Sequence, residues 1–179
     1  MASHLRKDQR CYLTTQIGTH QMNIELKKFK YLARASHEST CFEAEVWIDG
    51  KKAGWAENQG QGGQTMCGPN TLDAAFRKFA QDLPETDEYL KSSGYLIDEM
   101  VFKLLMESDL KKVLKKRVLV TIKGSSKIRE TKCLSQEVMA RAMSDISKFT
   151  ARIGDVDKVL NVLPFDEAFK IYCAMSPSP

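Results

Sequence analysis

The clearest pattern along the chain is a strict alternation of apolar and polar side chains in the segment FEAEVWI, residues 42–48. Successive side chains of a β-strand point to opposite faces, so this segment is predicted to be a strand with one buried face. Asp49-Gly50 follows at once and supplies the positive φ angles of a tight hairpin turn into a returning strand over 51–58. An earlier strand begins at Met22, and its apolar positions stay in phase if one β-bulge lies at Lys27–Lys28. The three segments predict an antiparallel meander.

Helical spacing of apolar residues dominates the rest of the chain, with two further strands among the helices. In chain order, the pattern first predicts a helix that is capped by Asn70 or Thr71 and stopped by Pro84, and then a helical region over 86–116 that restarts at Ser108–Asp109. A central strand over 118–124 and a polar edge strand over 127–133 are predicted next. The last predicted elements are a helix from Ser135 to Gly154 and one or two short helices over 155–175, broken at Pro164. The fold class is therefore predicted to be α+β, with a four- or five-stranded antiparallel sheet and helices packed on one face.

The two ends of the chain differ from this pattern. Residues 1–21 show neither helical nor strand periodicity, and we predict that they form a loose N-terminal leader. A single α+β domain is predicted over residues 22–175, since a chain of 179 residues suits one domain or one domain with a small appendage. The closing SPSP, residues 176–179, is predicted to be a frayed tail.

Composition narrows the class of protein. Hydrophobic residues make up 42% and charged residues 28%, which is enough apolar material for a core. The net charge of +4 permits binding to nucleic acid or to an acidic protein surface without requiring either. The five cysteines are odd in number and form no CxxC pair, so reduced thiols are expected rather than a disulfide framework or a structural zinc site. Without an apolar run of about 18–20 residues or a secretory signal, we predict a cytoplasmic protein with no membrane partner.

The segment NQGQGGQTMCG, Asn58–Gly68, is the compositional outlier and is called the glycine-rich segment below. It holds four glycines and three glutamines, and it lies between a strand and a helix, where backbone N–H groups can bind phosphate. However, it lacks the GK[ST] of a P-loop and is not a GxGxxG turn within a βαβ unit. A mobile or specially shaped loop that contacts a macromolecular partner is the favoured interpretation, with Gln59, Gln61 and Gln64 as candidate contacts.

Two other groups of side chains have residue types that occur in catalytic sites, and for both we favour a structural role. His37 and Cys41 lie four residues apart beside Glu38, but a nucleophilic pair also needs direct contact and an orienting third group. Glu43 and Glu45 share one face of a strand, about 7 Å apart, as paired acid–base carboxylates can. A solvated strand face explains the two glutamates more simply. No catalytic or metal-binding residue is assigned.

Two further sets of residues are candidate partner contacts. The first is the basic segment at the end of the long helical region, which is either a solvated helix face or a contact for phosphates or an acidic protein. It consists of Lys111, Lys112, Lys115, Lys116 and Arg117. The second is the pair Trp47 and Trp55, one on each strand of the Asp49-Gly50 hairpin, which lie near each other without being directly opposite. They belong either to the core or to an exposed aromatic platform.

The stretch FEAEVWIDGKKAGWAENQGQGG resembles a pattern found in uncharacterised small proteins of phages and mobile elements. In that pattern a hairpin with a DGKK turn is followed by an NxGxGG loop, and the resemblance covers about 22 of the 179 residues. It carries no activity or site residues. Small phage proteins without enzyme motifs are often inhibitors of host machinery, including anti-CRISPR and other anti-defence proteins, so the resemblance implies provenance more than function.

A second resemblance is to the double-stranded RNA-binding domain. The order of three strands and a helix, with Phe42, Gly50 and Gly54 leading into AAFRKFA, is similar to that family. The chain departs from the family because no helix precedes the first strand. The basic KKxAK helix start of that family is replaced here by the uncharged NTLDAAF.

The leading prediction is a non-enzymatic binding protein that occupies a surface of a host protein or nucleoprotein complex, as a phage-encoded, anti-CRISPR-like inhibitor would. The alternative is a nucleic-acid-binding protein of the double-stranded RNA-binding kind. The third hypothesis is a small nucleotide- or metal-dependent enzyme centred on the glycine-rich segment. No cofactor is predicted, and the oligomeric state does not follow from the sequence.

Overall fold

The computed structural model describes residues 11–17, 20–81, 92–151 and 153–175, with side chains described from residue 23 onward except at 78–81. The chain divides into two compact units, unit 1 (residues 1–104) and unit 2 (residues 105–179), where the sequence predicted a single domain over 22–175. The predictions for residues 1–10, for the helix stop at Pro84 and for the tail lie outside the described residues.

The described part of unit 1 contains five strands and the helices that follow them. Its strands are β1 (Cys11–Ile17), β2 (His20–Tyr31), β3 (Phe42–Ile48), β4 (Lys51–Asn58) and β5 (Met66–Gly68), with a 3-10 turn at Ala33–Ala35. The helices are α1 (Asn70–Gln81) and α2 (Ser93–Leu114), and α2 begins in unit 1 and ends in unit 2.

The remaining elements belong to unit 2. They are β6 (Leu119–Ile122), β7 (Ile128–Glu130), α3 (Gln136–Ser144), α4 (Ile146–Ala151), β8 (Val156–Val159), a 3-10 turn at Leu160–Val162 and α5 (Phe165–Met175).

The first sheet has the order β1-β2-β3-β4-β5, and every neighbouring pair is antiparallel. The α+β class and the antiparallel meander are therefore confirmed, now as β2–β4. The bulge is also where the pattern placed it, because the β2–β3 register shifts between Lys27 and Lys30 and Lys28 has a φ of 51°. β1 differs from the expectation of a loose leader, since residues 11–17 pair along the outer edge of β2.

One face of this sheet is buried against the helices of unit 1. Side chains at alternate positions of β2 and β3 point into this core, and α1 crosses it closely enough that Leu72 lies against the backbone of Gly54 in β4. Among the described side chains of unit 1, the buried apolar residues are Ile24, Leu26, Cys41, Phe42, Ala44, Val46, Ala56, Leu72, Phe76, Leu96, Ile97, Met100, Val101 and Leu104. The opposite face of the sheet carries the charged and aromatic residues discussed below.

Unit 2 holds a second, three-stranded sheet with the order β7-β6-β8. The strands predicted at 118–124 and 127–133 thus exist, with β6 central and β7 at an edge, but they do not join the first sheet. Leu119 packs with α5 and the end of α2, whereas Val118 and Val120 pack with α3 and α4. Because the central strand is covered on both faces, Leu119, Val120 and Thr121 are all buried, and its sequence is mostly apolar.

Two predictions for unit 2 were wrong in detail. The helix expected from Ser135 to Gly154 is divided into α3 and α4 at Asp145, whose φ of −135° and ψ of 66° leave the helical region. The segment 155–175 was expected to be helical only, yet it starts with β8, which pairs with β6. In β8, which reads VDKV, the two valines are three positions apart, so the segment lacks the alternation that predicts a strand.

Candidate functional site

The face of the first sheet that points away from the core is called the open face. The pairing register of the strands shows which side chains lie on it. Residues paired directly across antiparallel strands point to the same side. Glu45 pairs with Trp55, Trp47 pairs with Lys52, and Glu57 pairs with Met66. Both tryptophans therefore lie on the open face, on either side of Glu45, and not in the core.

Among the described side chains of the open face, Trp55 and Met66 are the most exposed apolar ones. Trp55 is 44% exposed and Met66 is 59% exposed. The Trp55 ring lies against the backbone of Gly68, since a Cβ built there would be 2.8 Å from two ring carbons. One side of the ring thus packs against this backbone, and its other side stays exposed. A supported, exposed tryptophan is the kind of side chain that dominates protein–protein binding energy.

Glu45 orders the centre of the open face. Its carboxylate accepts hydrogen bonds from Lys52 Nζ at 2.7 Å, Lys28 Nζ at 2.9 Å and Trp47 Nε1 at 3.2 Å. The lysine bonds, Lys52 first, lower the pKa of Glu45 from 4.5 to about 2. The carboxylate therefore stays ionised at neutral pH. Glu43 is likewise paired, with Lys30 Nζ at 3.0 Å.

Asn58, at the end of β4, organises the glycine-rich segment. Its Oδ1 accepts hydrogen bonds from the Gly60 N–H and from Ser39 Oγ, each at 2.8 Å. Its Nδ2 donates to the Gly63 carbonyl and to Thr65 Oγ1, each at 3.0 Å. Asn58 itself is buried. The segment is therefore a specially shaped loop held from inside, followed by the short strand β5.

The loop is also tied to the turn before β3. The backbone N–H groups of His37 and Glu38 donate to the Gly60 carbonyl at 3.0 and 3.1 Å. Gly60 and Gly62 donate their own N–H groups to Asn58 and Ser39, so these amides serve the loop and are not presented to a phosphate. His37 is exposed while Cys41 is buried, and in the described structure no bond joins the two side chains.

The three candidate glutamines lie on the outside of this loop. Gln59, Gln61 and Gln64 are all exposed. Their side chains make no hydrogen bond to any residue that the structure describes, so their amide groups remain available to a partner. The loop backbone beneath them is fixed by Asn58, which lowers the entropy lost when such groups bind.

A cavity of about 240 Å³ lies beside β5, and sequence reasoning missed it. Its polar lining comes from the end of the glycine-rich segment, from α1 and from the start of α2. Asp73 accepts hydrogen bonds from Ser93 Oγ and from Arg77 Nε. Asp98 accepts one from Thr65 Oγ1, the same hydroxyl that Asn58 contacts. The cavity is thus connected to the loop by a chain of hydrogen bonds.

The two carboxyl groups of the cavity have opposite pKa shifts. Hydrogen bonds from Ser93 and Arg77 lower the pKa of Asp73 below 3.8. Burial, with a smaller contribution from the negative charge of Glu99, raises the pKa of Asp98 above 3.8, although the bond from Thr65 opposes this. The position of Asp98 beside the buried apolar residues Ile97, Met100 and Val101 of α2 was a sequence signal for this carboxylate. The cavity itself left no such signal, because it depends on the contact between Asp98 and the distant Thr65.

The structure divides the basic segment into paired and unpaired residues. α2 ends at Leu114, so the last three of the five side chains lie beyond the helix. Lys111 lies 4.8 Å from the Phe165 ring centre and 3.5 Å from Glu107, and Arg117 is paired with Glu130. The other three are exposed and have no partner within the described residues. They are Lys112, Lys115 and Lys116.

The chain was compared with models of protein families, with characterised proteins and with solved structures, and no match was found. Across the described ranges, no group of three or more His, Cys, Asp or Glu residues is placed to hold a metal ion. Among the helices that the structure describes, none is long and apolar enough to span a membrane.

Proposed function

We propose that this chain is a non-enzymatic binding protein that recognises a partner protein through a surface formed by β4, the glycine-rich loop and β5. This recognition surface consists of Trp55, Met66, Gln59, Gln61 and Gln64. The observation that carries the proposal is the exposure of Trp55 and Met66 on a sheet whose other face is well buried.

The composition of the recognition surface supports protein binding. Trp is enriched among residues that dominate interface energies, and Met adapts its shape to irregular partners. The glutamine amides around them can each donate and accept hydrogen bonds. Trp47 reinforces the neighbouring surface, because Lys27 Nζ lies 3.7 Å from its ring centre and Glu45 accepts its indole N–H. The Trp47 side chain is therefore held in place beside the recognition surface.

Replacing Trp55 and Met66 together by serine is expected to weaken capture of the partner about 30-fold or more, the effect of losing a binding hot spot of about 2 kcal/mol. The measurement is affinity capture from a host-cell lysate with the full chain, with mass spectrometry of the retained proteins and titration of the protein identified. Val162→Ser is the matched control, since Val162 is 56% exposed but lies in unit 2.

A partner that is retained equally by the wild type and by the double variant would contradict the proposal. The stoichiometry gives a second check, because a binding protein acts at about one copy per partner whereas an enzyme acts far below that ratio. That the partner belongs to a host defence or nucleoprotein complex, and that the chain is a phage-encoded inhibitor, stay predictions from the sequence resemblance.

A second candidate function, nucleic-acid binding, is favoured by the distribution of charge. Unit 2 contains 14 Lys and Arg against 9 Asp and Glu, a net charge of +5, whereas unit 1 contains 13 against 14. The unpaired Lys112, Lys115 and Lys116 lie in unit 2. This support does not come from the segment similar to the double-stranded RNA-binding domain, because α1 starts without a lysine and carries Asp73 in its first turn.

Changing Lys112, Lys115 and Lys116 to Glu is expected to abolish any retardation of DNA or RNA at about 50 mM salt. At lower salt, where binding can still be measured, the slope of the logarithm of the binding constant against the logarithm of the salt concentration should fall in magnitude by about three. Lys111 is left unchanged because it packs over Phe165. The matched control is the triple variant Arg34→Glu, Lys51→Glu and Lys103→Glu, whose three exposed cations lie in unit 1. If the wild type retards no nucleic acid at this salt concentration, the second candidate fails.

A further inference from the structure

We infer that the cavity beside β5 binds a cationic group on a short aliphatic stem, and that in the complex this group is a lysine or arginine side chain of the partner protein. The inference deepens the proposed function and rests on it, because Met66 belongs both to the recognition surface and to the lining of the cavity. A partner seated on Met66 would therefore have the mouth of the cavity within reach of its own side chains.

The charges of the cavity favour a cation. Asp73 has both carboxylate oxygens occupied, Oδ1 by Ser93 and Oδ2 by Arg77 at 2.8 Å. Asp98 has only Oδ1 occupied, by the neutral hydroxyl of Thr65, and no cation of the described residues pairs with it. A partly buried carboxylate without a counterion is costly, and a ligand cation would remove that cost. Arg77, whose side chain is 72% exposed, is already committed to Asp73.

The start of α2 does not convert the cavity into an anion site. Ser92 caps this helix from within the chain, because its Oγ accepts the Tyr95 N–H at 3.2 Å and its carbonyl accepts the Leu96 N–H. The two carboxyl groups against one guanidinium leave the lining with a formal charge of −1. The partial charge of a helix N-terminus, about +0.5, is smaller than this formal charge.

The size and the walls of the cavity favour a ligand with a short aliphatic stem. A volume of about 240 Å³ is below the roughly 300–1,000 Å³ of cavities for larger organic ligands, so it suits one long side chain or a small amine. Met66, Cys67 and Tyr95 supply apolar or weakly polar wall against which methylene groups can pack. Asp98 then provides the charged end. Lysine and arginine side chains combine these two properties.

The variant Asp98→Asn removes the charge and keeps the fold. Its amide oxygen can still accept the Thr65 hydroxyl. Because the pKa of Asp98 in the folded state is raised above 3.8, wild-type stability falls as pH rises from 3.8 through that folded pKa, whereas the variant has no such loss. We expect the variant to melt at a higher temperature than the wild type at pH 7, and the difference to shrink below pH 3.8. The variant is therefore a sound reagent for binding tests.

The test titrates the full, isotope-labelled chain with N-acetyl-lysine methylamide, N-acetyl-arginine methylamide, putrescine and the uncharged N-acetyl-norleucine methylamide, followed by amide NMR shifts. Saturable shifts at Thr65, Met66 and Gly94 are expected with the two blocked basic amino acids, with a Kd of about 1 mM. Asp98→Asn should weaken this binding about tenfold or more. The control Asp157→Asn, an exposed carboxylate of unit 2, should not change it.

Each outcome of the titration either supports or overturns the assignment of the cavity to a cationic side chain of the partner. Absence of shifts with all three cations overturns the inference, while the recognition surface is judged separately by capture with the Trp55 and Met66 variant. Binding of putrescine without the blocked amino acids assigns the cavity to a free amine and overturns its assignment to a partner side chain. Equal binding of the norleucine derivative shows that charge is not recognised and also overturns the inference. Weaker partner capture by Asp98→Asn, together with the expected shifts, supports it.

Discussion

Replacing Gly54 by alanine is expected to destabilise unit 1 by about 3 kcal/mol or more, the upper range for overpacking a core. A Cβ at this position would lie 1.9 Å from the Gly68 carbonyl oxygen and 2.8 Å from Leu72 Cδ2. Both neighbours are fixed, the first by the pairing of β4 with β5 and the second by burial of α1 against the sheet. The strands must separate or α1 must move to admit one methyl group.

The measurement is thermal unfolding followed by tryptophan fluorescence. Trp47 and Trp55 are the two tryptophans of the chain and both lie in unit 1, so the signal reports on this unit. A loss of this size should lower Tm by roughly 12 °C or more for a unit of about 100 residues. Gly63→Ala is the control, since nothing lies within 4 Å of a Cβ there, and its effect should stay within about 0.5 kcal/mol. Equal melting temperatures for the two variants would refute the packing argument.

Asn58→Ala is expected to destabilise unit 1 by about 3 kcal/mol and to release the glycine-rich loop. The substitution removes four hydrogen bonds and leaves two donors, on Gly60 and Ser39, and the Gly63 carbonyl without their partner. Each buried polar group left unsatisfied costs about 1–3 kcal/mol, although some of these groups can turn to water. The expected total is therefore several times the effect of an ordinary surface substitution.

Denaturant unfolding measures the stability of this variant, and hydrogen exchange at the Gly60 and Gly62 amides measures the loop. Exchange at both amides should accelerate strongly, since Asn58 and Ser39 hold them in the wild type. Gln59→Ala removes a neighbouring amide side chain that is exposed and makes no hydrogen bond to a described residue, so it should leave both quantities nearly unchanged. An Asn58→Ala protein with wild-type exchange rates would show that the loop is held by something other than this side chain.

Several features of unit 1 could be predicted from the sequence because they depend only on residues that are close together in the chain. The alternation over 42–48 defined β3 and its buried face, and Asp49-Gly50 defined the hairpin to β4. The bulge at Lys27–Lys28 followed from a phase change in the apolar pattern, and the structure shows it in the β2–β3 register. In each case the information lies within a few residues, because side-chain direction in a strand repeats every second position.

Two short strands, β5 and β8, could not be predicted from the sequence in the same way. β5 pairs with the longer strand β4, and β8 pairs with β6, which has four residues like β8 itself. β1 likewise pairs along β2, although residues 1–21 were predicted to form a loose leader. Hydrogen bonding to a neighbour and burial, which are tertiary effects, outweigh weak local preferences in such segments. The same effects placed the strands at 118–124 and 127–133 in a second sheet.

The candidate site shows the same division between sequence and structure. The sequence predicted Trp47, Trp55 and the three glutamines of the loop as candidate partner contacts, and the fold exposes Trp55 and all three glutamines. It also identified five basic residues, but only the fold shows that Glu107, Phe165 and Glu130 engage two of them. The cavity could not be foreseen, because Asp98 and Thr65 are 33 residues apart in the chain and meet only after folding.

The sequence by itself therefore determined the α+β class, the hairpin and the identity of the polar loop, since these follow from local periodicity and from the backbone freedom of glycine. The tertiary structure alone decided which face of the sheet is open, which lysines have no counterion among the described residues, and which carboxylate has no described cation beside it. Those properties are set by distances and burial between residues far apart in the chain, and linear spacing does not contain them.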